Sequence, residues 1–217
     1  YATRSNGTGA AQVQKAVKTQ VIATAADDGT ATLSYGFADL AQDFSRQRLI
    51  TLRNFGSTAV TFKVTHLLDA GSPHTFTSSM ASVTVPAKGT KSFGVTLKVP
   101  AKTVGNASDF RDASGLVRLT PTTGQNGNVA LTMAYYLVPR ADSNLKLSLN
   151  MTTLKNVHTA TGTLTNNPAP IAGNADWYAW GTTDTKEADL GSNDVRAVGV
   201  QTFPDDGILA FGVSTYK

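Results

Sequence analysis

Apolar and polar residues alternate with a period of two along most of the chain, the pattern of strands with one buried face. In VTFKVTHLL, residues 60–68, the residues Val60, Phe62, Val64 and His66 share one face. Four later segments repeat the alternation: SVTVPAKG, KSFGVTLKVP, GLVRLTP and VALTMAYYLVPR. Short strands with turn residues and no helix between them predict an all-β fold with a β-sandwich of fibronectin-III or immunoglobulin type.

The alternation pauses at VPRADSN, residues 138–144, and then resumes. About five further strands are predicted in LKLSLNM, TATGTLTN, ADWYAWG, DVRAVGVQTFP and GILAFGVSTYK. This predicts a second, smaller sandwich-like β unit over residues 142–217, after a β-sandwich over residues 30–141. A unit of this size is marginal alone, so we expect it to be truncated or to complete itself against the first.

One stretch favours a helix, GAAQVQKAVK at residues 9–18. Alanine, glutamine and lysine are good helix formers, and Val13 and Val17 fall on one apolar stripe. A helix this short is marginal alone, so the stripe is expected to pack against another part of the protein.

Composition narrows the possible functions. The chain has no cysteine, which excludes disulfides and thiolate metal sites. The net charge is +4, but the basic residues are spread singly, so we expect no nucleic-acid partner. No apolar run reaches the roughly 18–20 residues that span a bilayer. The first residues lack the pattern of a signal peptide, so we expect a processed piece of a longer protein.

Ser79 is the one candidate nucleophile. It lies in TSSMAS, residues 77–82, which resembles the GTSMAS of subtilisin-like proteases, where the nucleophile begins a helix. Here the following VTVPAKG predicts a strand, and the glycine position holds Thr77. A triad also needs a histidine base and a carboxylate, yet His66 falls in a strand, His74 in a turn and His158 in a polar loop. We therefore predict no catalytic residue; an active protease of unfamiliar plan is the alternative.

Metal binding has weak support. The loop at residues 182–194 carries four carboxylates that could contribute to a calcium site, Asp184, Glu187, Asp189 and Asp194. Calcium needs six to eight converging oxygens, and no EF-hand spacing is present. The Asp-Asp-Gly triplets at residues 27–29 and 205–207 are interpreted as turns rather than metal sites. No cofactor other than this possible calcium is predicted.

The aromatic segment DWYAWG, residues 176–181, could stack against a sugar, with Trp177 and Trp180 as candidate binding residues. Alternation places Tyr178 and Trp180 on one face and Trp177 on the other. The competing interpretation is that Tyr178 and Trp180 fill the core and that Trp177 is half exposed.

The order of the segments is similar to that of large bacterial subtilases. NGTGAAQVQKAV resembles the last helix of the catalytic domain, and ATLSYGF the strand after it. RLITLRNFGSTAVTFKV, SVTVPAKGTKSFGVTLKV, ASGLVRLTP and LTMAYYLVPRADS resemble the fibronectin-III-like domain that follows, while ADWYAWG and DVRAVGVQTFP resemble a still later segment.

This resemblance implies the non-catalytic C-terminal region of a secreted subtilisin-like serine protease. Residues 1–29 would be the tail of the protease domain, and the family's true nucleophile would precede residue 1. The implied partners are the parent catalytic domain and either a protein substrate or a cell-surface component. A free-standing adhesion or carbohydrate-binding module is the alternative.

Overall fold

The computed structural model describes residues 3–106, 108–150, 152–153, 156 and 161–216. Contacts between residues divide the chain into one unit that ends at Gly173 and another that begins at Asn174. The predicted all-β sandwich class is confirmed. The domain ranges 1–29, 30–141 and 142–217 stay predictions, although the first strand begins inside the first of them.

The first unit contains eleven strands among its described residues. In chain order they are β1 (Val21–Ala25), β2 (Thr32–Leu40), β3 (Phe44–Asn54), β4 (Val60–Leu68), β5 (Thr75–Ser78), β6 (Ser82–Val85), β7 (Thr90–Val99), β8 (Ala113–Pro121), β9 (Leu131–Ala141), β10 (Leu145–Leu149) and β11 (Gly162–Asn166). Short 3₁₀ turns occupy Ala101–Thr103 and Asn126–Asn128.

Nine of these strands form two sheets. One sheet has the order β1-β3-β7-β5 and the other has the order β2-β9-β8-β4-β6. Neighbouring strands are antiparallel except β2 and β9, which run parallel. The first sheet has the strand order A-B-E-D of immunoglobulin-like sandwiches, and β4, β8 and β9 correspond to C, F and G. Strands β10 and β11 form a separate antiparallel pair.

The core consists of the inward-facing residues of both sheets. In β7, Phe93, Val95, Leu97 and Val99 are all buried, as the period-two pattern predicts. The alternating residues of β4 behave in the same way, and Val60, Phe62 and Val64 are buried. Burial of these side chains supplies the main stabilising free energy of the sandwich.

The chain changes sheets between β1 and β2, at the first Asp-Asp-Gly triplet. The triplet forms a turn, as predicted, but its flanking strands lie in different sheets and do not form a hairpin. Arg48 of β3 donates hydrogen bonds to the carboxylates of Asp27 and Asp28 and to the carbonyl of Ser34 in β2. Hydrogen bonds from Thr30 and Arg48 lower the pKa of Asp28 to about 2. Arg48 therefore links both sheets to the turn between them.

Asn126, in the loop between β8 and β9, anchors the start of β1. Its side chain is buried, and its Oδ1 accepts hydrogen bonds from the backbone N–H groups of Gln20 (2.7 Å) and Val21 (3.1 Å). Its Nδ2 donates to the carbonyl of Val129 at 2.8 Å. With φ of 48°, Asn126 adopts the left-handed conformation that asparagine tolerates better than most residues. One carboxamide thus joins the first strand to the loop before the last strand of the sandwich.

Two four-residue helices, α1 (Thr3–Asn6) and α2 (Val13–Ala16), precede β1. Helix α2 falls within the predicted range 9–18 but is shorter. Val13 and Val17 are 73% and 80% exposed, so the expected packing of their stripe does not occur among the described residues. No helix in the described ranges is long and apolar enough to cross a membrane.

The second unit contains one antiparallel sheet, with the order β12-β13-β14. The strands are β12 (Ala179–Thr183), β13 (Val195–Phe203) and β14 (Ile208–Thr215), and 3₁₀ turns occupy Gly191–Asn193 and Pro204–Asp206. The predicted turn at residues 205–207 is a hairpin turn between β13 and β14. Gly207 ends it with φ of 66°, a left-handed conformation that glycine adopts without strain.

Candidate functional site

Ser79 lies in an exposed loop between β5 and β6 and not at the start of a helix. Its backbone N–H donates to the carbonyl of Gly94 at 2.8 Å. The Gly94 N–H in turn donates to Ser79 Oγ at 3.0 Å. The hydroxyl oxygen therefore serves as an acceptor that ties the loop to β7, and the predicted polar loop that leads into a strand is confirmed.

The two described histidines contact other groups. His74 places Nδ1 2.8 Å from the carbonyl of Ser72 and Nε2 2.8 Å from the hydroxyl of Tyr135. The His66 ring packs edge-to-face on Phe76, with 5.3 Å between centroids. His158 lies outside the described residues. Since neither described ring is bonded to Ser79, these residues do not assemble the nucleophile–base pair that acyl transfer requires.

His66 makes the stability of the sandwich dependent on pH. Its Nε2 is buried without a hydrogen-bond partner among the described residues, and burial lowers the pKa of the ring from its usual value of 6.5. A lowered pKa means that the folded state favours the neutral ring. The His66 contribution to the free energy of unfolding is therefore complete above pH 6.5 and is lost as the pH falls through the lower pKa of the folded state.

We expect wild type to lose more stability than His66→Phe as the pH falls from about 7.5 to about 5. Phenylalanine keeps the aromatic contact with Phe76 and removes the titrating group. Urea unfolding at several pH values, followed by circular dichroism, measures the difference between the two proteins. Carboxylate titrations are common to both and cancel in this comparison. Parallel losses of stability would contradict a role for His66.

The four calcium candidates do not converge. Asp194 is buried, and its Oδ2 accepts the backbone N–H of Glu187 at 2.7 Å. Asp184 lies at the end of β12, where its Oδ1 accepts the N–H of Thr185. Asp189 and Glu187 are exposed. Within the described ranges no three His, Cys, Asp or Glu side chains are grouped so as to hold a metal ion. The structure instead uses Asp194 to order the loop.

Tyr178 and Trp180 line one hollow of about 290 Å³ on the sheet of the second unit. The floor of the hollow includes Gly199 and Gly212, which are opposite each other in β13 and β14. A methyl group built on Gly212 would lie 3.1–3.2 Å from the Tyr178 ring, so this ring rests directly on the glycines. Because both glycines lack side chains, Tyr178 can lie against the sheet, and its ring and that of Trp180 line the hollow.

The prediction that Tyr178 and Trp180 share a face is confirmed, since both line this hollow. The prediction that they fill the core is wrong, because Trp180 is 72% exposed and Tyr178 is 42% exposed. Trp177 precedes β12, is 59% exposed and does not line the hollow.

Sequence reasoning missed Tyr178 as a site residue. The signal was present in the paired glycines of VGVQ and FGVS, which leave space on one face of the sheet for the ring of Tyr178, the residue before β12.

Comparisons with known proteins give structural similarity only. No protein-family model and no curated protein matches the sequence. The PapD-like domain 7 of human CEP192 is 14% identical over 56% of this chain and 84% of that chain, with a TM-score of 0.37. A family 123 glycoside hydrolase from Clostridium perfringens is 9% identical over 58% of this chain and 28% of that chain, with a TM-score of 0.42.

The Salmonella enterica SafA pilin in complex with the SafB chaperone is also similar. It is 13% identical over 59% of this chain and 62% of that chain, with a TM-score of 0.34. These low scores carry no functional information. The assignment of this chain as a β-sandwich module rests on its own strand order and pairing.

Proposed function

We propose that the chain is a non-catalytic accessory region of a secreted subtilisin-like serine protease, which braces the catalytic domain or positions protein substrate. The observation that carries the non-catalytic part of the proposal is the bonding of Ser79. Its hydroxyl accepts the Gly94 N–H in an exposed loop, while both described histidines bond or pack elsewhere. The order of segments that resemble the subtilase C-terminal region supports the identity of the parent protein.

The exposed apolar stripe formed by Val13 in α2 and Val17 directly after it supports the bracing role. Val13 and Val17 are both more than two-thirds exposed, and a short helix gains its stability from packing an apolar face. The segment that contains them resembles the final helix of a subtilase catalytic domain. A catalytic domain of the same polypeptide is therefore the partner that we assign to this stripe.

The non-catalytic part of the proposal is tested on the isolated chain. Incubation with a fluorophosphonate probe should leave Ser79 unlabelled, and wild type and Ser79→Ala should leave casein equally intact. Labelling of Ser79, detected by mass spectrometry of the peptide that contains it, would establish an active protease and reject this part of the proposal.

The parent-protein part is tested at the gene and in the full-length protein. The coding sequence upstream of residue 1 should encode, in frame, a catalytic domain with a GTSMA-type serine. In that protein, Val13→Asp with Val17→Asp should lower the melting temperature of the catalytic domain. Lys15→Asp, an exposed change on the same helix, should have a much smaller effect. An upstream sequence without such a domain would overturn the assignment.

A second candidate function, carbohydrate binding, is favoured by the hollow beside Tyr178 and Trp180. An exposed indole and a phenol on one face above a glycine floor suit the flat C–H face of a sugar ring, because such rings offer large apolar surface and a polar atom. Ser214, which also lines the hollow, adds a residue with a hydrogen-bonding side chain. On a glycan array, Trp180→Ala should abolish binding, whereas Trp177→Ala, outside the hollow, should retain it. No binding by wild type would exclude this candidate.

A further inference from the structure

Strand β14 is an edge strand without the features that usually protect sheet edges. It pairs only with β13 among the described residues. Its sequence, ILAFGVST, has eight residues and no charge or proline. Soluble proteins normally protect an edge with lysine, proline, a bulge or a covering element, because an open edge pairs with other strands. The register shift between β13 and β14 affects only the end near Val195.

The residues of β14 divide between two contrasting faces. Leu209, Phe211 and Val213 alternate on one face and are 54%, 67% and 59% exposed. Ala210 and Gly212, on the other face, are small. Cross-strand pairing places Val198 and Val200 of β13 beside Val213 and Phe211. One face of the sheet is therefore apolar up to its open edge.

We propose that two copies of the chain associate through antiparallel pairing of their β14 strands, with a two-fold axis at Phe211. In this register Phe211 is opposite Phe211 of the second copy, and Leu209 is opposite Val213. Ala210 is opposite Gly212 on the other face. Each three-stranded sheet becomes half of a six-stranded sheet, and its apolar face continues across the junction.

The sequence of β14 suits pairing with a second copy of the same strand. A two-fold axis perpendicular to the sheet keeps each residue on its own face only if the numbers of two directly opposite residues add up to an even number. The pairs Phe211 with Phe211 and Leu209 with Val213 meet this condition. Centred on Phe211, this register gives aromatic and aliphatic pairs of the kind that stabilise antiparallel strands. The strand has no charge, so its alignment with an identical strand brings no like charges together. A homodimer interface of this isologous type needs no other partner.

Single cysteines test the register directly, because the natural chain contains none. Directly opposite residues in antiparallel strands have Cα atoms about 4.5–5.5 Å apart, within the span of a disulfide. Phe211→Cys should therefore form a covalent dimer of twice 22.7 kDa under mild oxidation. Leu209→Cys alone should not, since its two copies would be about 14 Å apart along the strands. A mixture of Leu209→Cys and Val213→Cys chains should cross-link.

Charged substitutions at Phe211 test the interface without cross-linking. The wild-type chain should show a concentration-dependent dimer in sedimentation velocity. Phe211→Lys and Phe211→Glu should each raise the dimer dissociation constant at least about tenfold, because like charges would lie directly opposite each other. An equimolar mixture of the two should recover the dimer. Leu49→Lys is the control, since Leu49 is an exposed apolar residue (47%) on β3 of the first unit; it should leave association unchanged.

Circular dichroism and melting curves confirm that each variant is folded before its association is compared. A chain that stays monomeric at 100 µM would overturn the proposal. A dimer that is unaffected by both charges at Phe211 would overturn it as well, and so would cross-linking that is equal at positions 209 and 211.

Discussion

Replacing Tyr135 by alanine will lower the free energy of unfolding by about 3–5 kcal/mol, the usual cost of removing a large buried aromatic side chain. Tyr135 is fully buried, and its ring stacks on Phe76 with 4.0 Å between centroids. It also lies across Gly115, its partner on β8, where a methyl group would collide with the phenol. Alanine would leave a cavity that the two strands cannot fill. Urea unfolding at pH 7.5 measures the loss.

The Tyr135→Phe variant is the matched control. It keeps the stacked ring and removes only the hydroxyl that is bonded to His74, so it should cost about 1 kcal/mol. Equal losses for the two variants would show that the hydrogen bond, and not ring packing, dominates the role of Tyr135.

Replacing Asn126 by alanine will lower the free energy of unfolding by about 2–3 kcal/mol, because buried N–H groups that lose their acceptor keep the cost of desolvation. The change removes the acceptor of the Gln20 and Val21 N–H groups and the donor to the Val129 carbonyl. Amide hydrogen exchange should accelerate at Val21, at the start of β1, before it does so in β7. Chemical denaturation gives the global loss.

Asn128→Ala provides the comparison within the same loop. Asn128 also has a positive φ, 59°, and its Oδ1 accepts the Gly124 N–H at 2.7 Å, but this bond is exposed to solvent. The Asn128→Ala substitution should therefore lower the free energy of unfolding by less than about 1 kcal/mol, since water can replace an exposed hydrogen bond. If both substitutions lower the free energy of unfolding by the same amount, backbone strain and not the buried amide network would explain the effect at Asn126.

Much of the fold could be predicted from the sequence because the apolar residues that face the core recur at every second position in several strands of the sandwich. The predicted segment 60–68 coincides with β4, and the segment 91–100 differs from β7 by one residue at each end. Strand β5, TFTS, was not predicted because Phe76 is its one apolar residue, so the segment shows no alternation of apolar and polar residues. The pairing of β2 with β9 could not be predicted, since alternation carries no information on strand partners.

The candidate sites show a different limit of prediction from sequence, which concerns whether a face of a sheet is covered. Alternation correctly placed Tyr178 and Trp180 on one face, but it does not say whether a second layer covers that face. In a sandwich the opposite sheet would cover it, whereas the described second unit has a single sheet. The placement of Ser79 in a polar loop depended on the strand that follows it, and local structure is what sequence patterns indicate best.

The long-range connections of the first strands determine the order in which the sandwich can be completed during translation. The Asn126 amide lies 105 residues after Val21, and β2 has β9 as its hydrogen-bonded partner in its sheet. While the ribosome has released the chain only as far as β7, β2 therefore has an unpaired edge, and the two sheets close only after β9 emerges. Such distant pairings slow folding to the millisecond-to-second range. During synthesis, a chaperone that shields β2 should raise the yield of folded protein more than one that binds β7.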